Sequence, residues 1–237
     1  MFDDKVIKTP DRHPSNISTS ELLSRIESGE SLQTEFKRLV HSSEKIAKSM
    51  VAFANTSGGI ILIGVDDDKR IVGVESEKEI EAVIEDAANF HTEPTVRYQF
   101  DVIDFRGRDL VMITVPESNH KPHYHLGESR DPKTFKKFKE RKVYLRSGSQ
   151  SIVATKDQVM LLEPYHKPLK ISYGEDEKIL FKYLDTYQRI TLAQYSKLVN
   201  ASSQHASQIL IALVKAGVIM IHTEGKLSYY THPLKVS

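Results

Sequence analysis

The chain has 237 residues, enough for one large domain or for a domain of about 150 residues joined to a smaller one. Its 33 lysines and arginines balance 32 aspartates and glutamates, a formal net charge of +1. That excludes a uniformly basic nucleic-acid coat but leaves room for local basic patches. There is no cysteine, so disulfide scaffolds, thiolate zinc sites and cysteine nucleophiles are excluded as well. At 39% hydrophobic and 27% charged residues the composition suits a globular protein with a real core. No apolar run approaches the roughly 20 residues of a membrane helix, and no signal-peptide core follows Met1. These features point to a cytoplasmic protein with no membrane partner.

The first 17 residues mix charges with Pro10 and Pro14 and show no periodicity, as a flexible arm does. Ser18 and Glu21 have capping-box spacing ahead of Leu22, Leu23 and Ile26, and Gly29 ends that short helix. Residues 30–39 read as extended. Ile46, Met50, Val51 and Ala54 recur at helical spacing over 43–55, and Thr56-Ser57-Gly58-Gly59 breaks the helix. The run Ile60 to Val65 reads as a strand buried on both faces, residues 66–70 as a turn, and 71–74 as a second strand. A helix is expected from about Ser76 to Asn89, then a hairpin of 97–105 and 110–115 around Arg106-Gly107-Arg108. A long polar insertion (120–140) precedes a strand at 143–146, and Pro164 to Pro168 reads as a linker. Beyond it, 175–187, 191–199 and 203–216 read as helices, and 218–221 with 227–230 as a hairpin. Three helices followed by a two-stranded wing is the winged helix-turn-helix order. The expected organisation is therefore a flexible arm (1–17), a first domain (18–163), a linker (164–174) and a winged helix domain (175–237).

Four segments resemble a known family. They are the stretch Glu30 to Lys37, the stretch Ala52 to Gly59, Ile63-Gly64-Val65-Asp66-Asp67 followed by Val72-Gly73, and Arg146-Ser147-Gly148-Ser149. In this order they resemble the Schlafen AlbA-type domain, also catalogued as a divergent AAA-type ATPase domain, over about residues 20–160. The resemblance implies an α/β (α+β) domain with a mixed sheet. Bacterial members often carry a C-terminal winged helix and are described as transcriptional regulators. It also implies a possible nuclease site, because vertebrate Schlafens that cut transfer RNA use three carboxylates that fall on Glu30, Glu35 and Asp67 here. Such carboxylates suit Mg2+ or Mn2+, which would neutralise phosphate and activate a water. Lys37, two residues from Glu35, could hold the phosphate. A Glu35–Lys37 ion pair with turn-forming aspartates at 66–68 would leave the same residues in place. The vertebrate enzymes also hold zinc through cysteines and histidine, and no zinc is expected in a chain without cysteine. They build a groove from two related lobes, so a homodimer is expected of this single-lobed chain.

Asn55, Gly58 and Gly59 sit between a helix and a buried strand, where positive φ angles and close backbone approach are useful. They read either as a helix-to-strand turn or as part of a nucleotide-binding turn. The lysine and hydroxyl of a Walker A loop are absent, so ATP is not supported. Residues 133–142 hold six basic side chains (Lys133, Lys136, Lys137, Lys139, Arg141 and Lys142) against one acid, interleaved with Phe135 and Phe138. That pattern suits phosphate contacts and base stacking, or an exposed arm whose phenylalanines pack on the core. Arg146 is a further candidate phosphate contact. His91, His120, His123 and His125 read as surface histidines rather than a metal site. In the third C-terminal helix Ser203, Gln204, His205, Ser207 and Gln208 are placed to meet bases or phosphates. Residues 175–237 carry only seven basic against five acidic side chains, so protein docking is an alternative to DNA binding. The leading expectation is a nucleic-acid-binding protein, for DNA or structured RNA, of the transcriptional-regulator type and dimeric. The alternatives are a divalent-metal-dependent endoribonuclease and a nucleotide-binding regulator.

Overall fold

A computed structural model describes residues 17–163, 174–224 and 227–233. Apart from Ile17 and Gly174, the expected arm and linker lie outside the described residues. The chain divides into two compact units, up to Ala154 and from Thr155 onward. The first holds α1 (Thr19–Ser28), β1 (Thr34–Lys37), α2 (Ser43–Asn55), β2 (Gly59–Ile63) and α3 (Glu77–Phe90). It continues through β3 (Thr92–Glu93), β4 (Gln99–Asp104), β5 (Asp109–Val115), β6 (Tyr124–Arg130), β7 (Lys137–Lys142), β8 (Tyr144–Ser147) and β9 (Gln150–Val153).

The central sheet has the order β1-β2-β5-β4, with β1 and β2 parallel and the other pairs antiparallel, so it is mixed. Its middle strand explains the apolar run seen in the sequence. Ile61 and Ile63 pack with α2, α3 and the facing residues Val111 and Ile113 of β5. Ile60 and Leu62 pack on the opposite face with Leu22 and Ile26 of α1 and with Phe36. A strand covered on both faces has no polar side to alternate with. Ile61, Leu62 and Ile63 are fully buried, which stabilises the fold by roughly 2 kcal/mol each.

Ser42 caps α2 by accepting the Lys45 N–H, and the helix is then buried almost all round, from Ile46 and Ala47 to Ala54 and Asn55. Helices buried on every side lie between layers, and α2 has the sheet on one side and β6 and β8 on another. Two sequence expectations need correction here. Residues 71–74 form no strand, only an isolated bridge between Ile71 and Val65, because the chain turns back after one pair. The polar insertion contains regular structure, a three-stranded antiparallel sheet in the order β3-β6-β7. Its solvated strands lack the apolar alternation by which strands are found in a sequence.

The second unit contains α4 (Lys156–Leu162), α5 (Glu175–Tyr187), β10 (Arg189–Thr191), α6 (Leu192–Leu198), α7 (Ser203–Lys215), β11 (Met220–Glu224) and β12 (Leu227–Thr231). Its sheet has the order β10-β12-β11, both pairings antiparallel. Leu180, Leu184, Ile190, Tyr195, Leu210 and Tyr230 fill its core. The helix α4, which the sequence places before the linker, belongs to this unit. Asp157 accepts hydrogen bonds from Ser207 of α7 (3.0 Å) and from the Tyr230 hydroxyl of β12 (3.0 Å).

Candidate functional site

The segment with the strongest sequence signature folds around a buried ion pair. On β1 the side chains alternate, so Phe36 joins the α1 face while Glu35 and Lys37 share the other. Glu35 Oε1 accepts from Ser49 Oγ of α2 (2.7 Å) and pairs with Lys37 Nζ (2.7 Å). Its Oε2 pairs with Arg146 Nη1 at 2.5 Å. The Arg146 side chain is wholly buried. Its Nη2 donates to the carbonyls of Ser31 and Ser149, both at 2.9 Å, and Nη1 also reaches Ser151 Oγ at 3.2 Å. The guanidinium lies 4.5 Å from the Phe53 ring centroid. Arg146 was expected to touch nucleic acid. Its position excludes that, because the guanidinium is enclosed by the carboxylate and carbonyls it ties together. The Glu35–Lys37 pair is the same-face arrangement that the spacing allowed.

The three carboxylates matched to the nuclease site serve different places. Glu30 Oε1 accepts the Phe36 N–H (2.9 Å) and so pins the loop before β1. Asp67 is exposed in the turn after β2. Neighbouring Asp66 accepts the Arg70 N–H, and Asp68 pairs with the Arg70 guanidinium. Among the described residues no group of three or more histidines or carboxylates is placed to hold a metal ion. With Glu35 enclosed by Ser49, Lys37 and Arg146, this donor set does not fit Mg2+ or Mn2+.

The turn considered for nucleotide binding is filled by the protein itself. Asn55 is 2% exposed; its Nδ2 donates to the carbonyls of His123 (2.8 Å) and Tyr144 (3.1 Å), and its Oδ1 accepts the His123 N–H (2.7 Å). It clamps the start of β6 and β8 to the end of α2. Gly58 has φ +67°, and a Cβ there would lie 2.7 Å from the Glu117 nitrogen. A Cβ on Gly59 would lie 2.4 Å from the Phe53 ring. The glycines answer a packing demand, and neither they nor Asn55 faces an open cradle.

His123 and His125, expected at the surface, are buried, each 4% exposed. His123 bridges the Pro94 carbonyl and Ser118 Oγ, both at 2.7 Å, and His125 Nε2 lies 2.8 Å from the Glu44 carbonyl. The polar composition around them concealed this, because backbone groups satisfy the rings. Burial pushes both imidazoles below the ordinary value of 6.5, against the pull of those carbonyls. The unfolded chain therefore takes up protons first as pH falls, and stability held above about pH 6.5 is lost as pH drops through the depressed folded values. Thermal unfolding followed from about pH 7.5 to about pH 5 should show a falling Tm. The fall should shrink in a His123→Gln variant; an identical profile in that variant would remove His123 from the account.

The basic segment forms an arm. Strands β6 and β7 pair antiparallel with Arg130 opposite Lys137, Glu128 opposite Lys139 and Leu126 opposite Arg141, which places these six on one face. Phe135 and Phe138 are 74% and 49% exposed, so neither packs on the core. Lys137 pairs with Glu128, Arg141 with Glu93, and Lys142 with Glu140. Lys133 and Lys136 form no ion pair among the described residues, while Arg130 and Lys139, without a close ion pair of their own, help Lys137 hold the Glu128 carboxyl below its usual range. Arg130 and Tyr124 were missed in the sequence because they belong to the opposite strand, and only the pairing brings them beside the basic run. In α7 the side chains of Ser203, Gln204, His205 and Gln208 are exposed, with His205 3.6 Å from Asp176. Ser207, expected beside them, is instead buried and bound to Asp157.

Sheet order, the buried Glu35–Arg146 pair and the glycine-filled turn together define a mixed α+β domain built around its own motif residues. The model of the family described as Schlafen, AlbA_2 matches residues 30–155, and the chain belongs to that family. Among solved structures the chain is similar to the N-terminal domain of an ATP-dependent DNA helicase RecG-related protein from Nitrosomonas europaea. Identity is 23%, coverage 64% of this chain and 99% of that one, and the TM-score 0.43. It is also similar to the DIP2311 protein from Corynebacterium diphtheriae, at 13% identity over 71% of this chain and a TM-score of 0.39. The match spans 34% of the length of the DIP2311 protein. Among the described residues no helix is long and apolar enough to cross a membrane.

Proposed function

We propose that the protein binds nucleic acid, as a regulator of the transcriptional type, with the β6–β7 arm as its phosphate-contacting element. The observation that carries this reading is the arm's excess of basic side chains beside two exposed phenylalanines: among the described residues Lys133 and Lys136 form no ion pair, and Arg130, Lys137 and Lys139 share the single carboxylate of Glu128. Positive charge in excess of the neighbouring carboxylates is charge that a phosphate can use, with release of its counterions. Membership of the Schlafen, AlbA_2 family agrees with this. The second unit is read as a winged helix. What supports that is its order of helix α5, short strand β10, helices α6 and α7, then the β11–β12 hairpin, with the first turns of α7 offering exposed Ser203, Gln204, His205 and Gln208.

The test is a salt series of binding to duplex and single-stranded oligonucleotides by the full chain and by a Lys133→Ala, Lys136→Ala, Lys139→Ala variant. The variant should bind more weakly and lose about 2 to 3 from the slope of log affinity against log salt. An unchanged slope would remove the arm from the interface. Sedimentation of the same preparation reads the homodimer that the resemblance implies. Carboxylate geometry lends the endoribonuclease alternative no support; metal-dependent cleavage of transfer RNA that is lost in a variant at the exposed Asp67, Asp67→Asn, with its thermal unfolding unchanged, would reinstate it.

A further inference from the structure

The arm ends in a residue that its local structure does not ask for. Asp131 organises the turn between β6 and β7: its carboxylate accepts the N–H groups of Lys133 and Thr134, and its carbonyl accepts that of Phe135. Phe135 sits there at φ +55°, a left-handed conformation that favours glycine or asparagine over a bulky side chain. It is also the most exposed of the large hydrophobic side chains among the described residues. Neither turn geometry nor packing accounts for a phenylalanine at this position. Phe138 is half-exposed, three residues further along. At the base of the same ribbon the Arg141 guanidinium lies 3.6 Å from the Tyr124 ring centroid, held by Glu93 at 3.1 Å. The arm thus offers flat groups at its tip and base and cationic side chains between them.

We propose that the arm's tip is a stacking site for unpaired bases, so that the ligand class is single-stranded nucleic acid. This inference rests on the nucleic-acid reading above. Rings that project into solvent can stack on bases only where those bases are not already stacked within a duplex, and cations along the ribbon then follow the backbone. An anionic membrane is the competing partner for a basic arm with exposed phenylalanines. The observations favour nucleic acid, because Lys136 and Lys137 separate the two rings in sequence and the strands carry no continuous apolar face of the kind that membrane insertion needs.

The chain has no tryptophan, so a Phe135→Trp variant carries a single reporter at the site. Titrating the full-length variant with oligo-deoxythymidylate should quench its emission saturably, while a duplex of equal length quenches little. In parallel, Phe135→Ala should weaken single-strand binding about tenfold while leaving the salt slope unchanged, since it removes stacking and no charge. Binding without quenching, or with equal affinity for duplex and single strand in wild type and Phe135→Ala, would overturn the stacking site and leave the nucleic-acid reading standing. Absence of binding to any nucleic acid would overturn both. An emission change with anionic phospholipid vesicles but not with oligonucleotide would overturn both in favour of a membrane.

Discussion

An Arg146→Ala variant is expected to lose about 3–5 kcal/mol of stability in urea unfolding, the usual consequence of removing one partner from a buried pair. The size follows from what would be left behind. The Glu35 carboxylate, 5% exposed, would keep Ser49 and Lys37 but lose the guanidinium, and the carbonyls of Ser31 and Ser149 would lose their donor. Arg146 also joins parts of the chain far apart in sequence, so its loss frees the loop before β1 and the β8–β9 turn together. Glu35→Leu should destabilise for the mirror-image reason, by stranding the buried guanidinium. The Glu35→Leu, Arg146→Met double variant should be clearly more stable than the sum of the two single losses. A single variant within about 1 kcal/mol of wild type would show that the pair is not a keystone. Oligonucleotide binding by whatever fraction remains folded should be unchanged, because Arg146 does not reach the surface.

An Asn55→Ala variant should also be strongly destabilised, by about 3 kcal/mol. The side chain satisfies three backbone groups at once: the N–H and C=O of His123 and the C=O of Tyr144. Alanine would leave all three without this partner in a region closed to water. Asn55→Asp is the sharper variant. It keeps the volume and the acceptor for the His123 N–H but sets a carboxylate oxygen against two carbonyls, so it should be no better than alanine. If Asn55 instead held a nucleotide, either change would lower nucleotide affinity with little loss of stability. Parallel urea unfolding and calorimetric titration with nucleotide separate the two.

Much of the fold was legible because it depends on local patterns. The run Ile60 to Val65 could hardly be anything but a strand covered on both faces, and the helical spacing of Ile46, Met50, Val51 and Ala54 located α2 to the residue. The strands β6 and β7 were hidden, because a solvated ribbon has no apolar alternation and its register is fixed by pairing across a turn. The ordered motifs pointed to the family, yet the roles attached to individual residues changed once their surroundings were known. Arg146 and Ser207 read as surface contacts and are buried. His123 and His125 read as surface histidines and are buried. Phe135 and Phe138, which could equally have packed on the core, are exposed.

The balanced charge, the absence of cysteine, the central strand, the helix caps and the family motifs were determined by the sequence alone, since each rests on composition or on residues close together in the chain. Only the tertiary structure decided which charges are partnered. Glu35 and Arg146 are 111 residues apart and meet because β8 is clamped to α2. Arg130 joins the basic run because β6 pairs with β7. Partnership determines whether a charge holds the fold together or is left for a ligand, and it depends on distances in space that spacing along the chain does not contain.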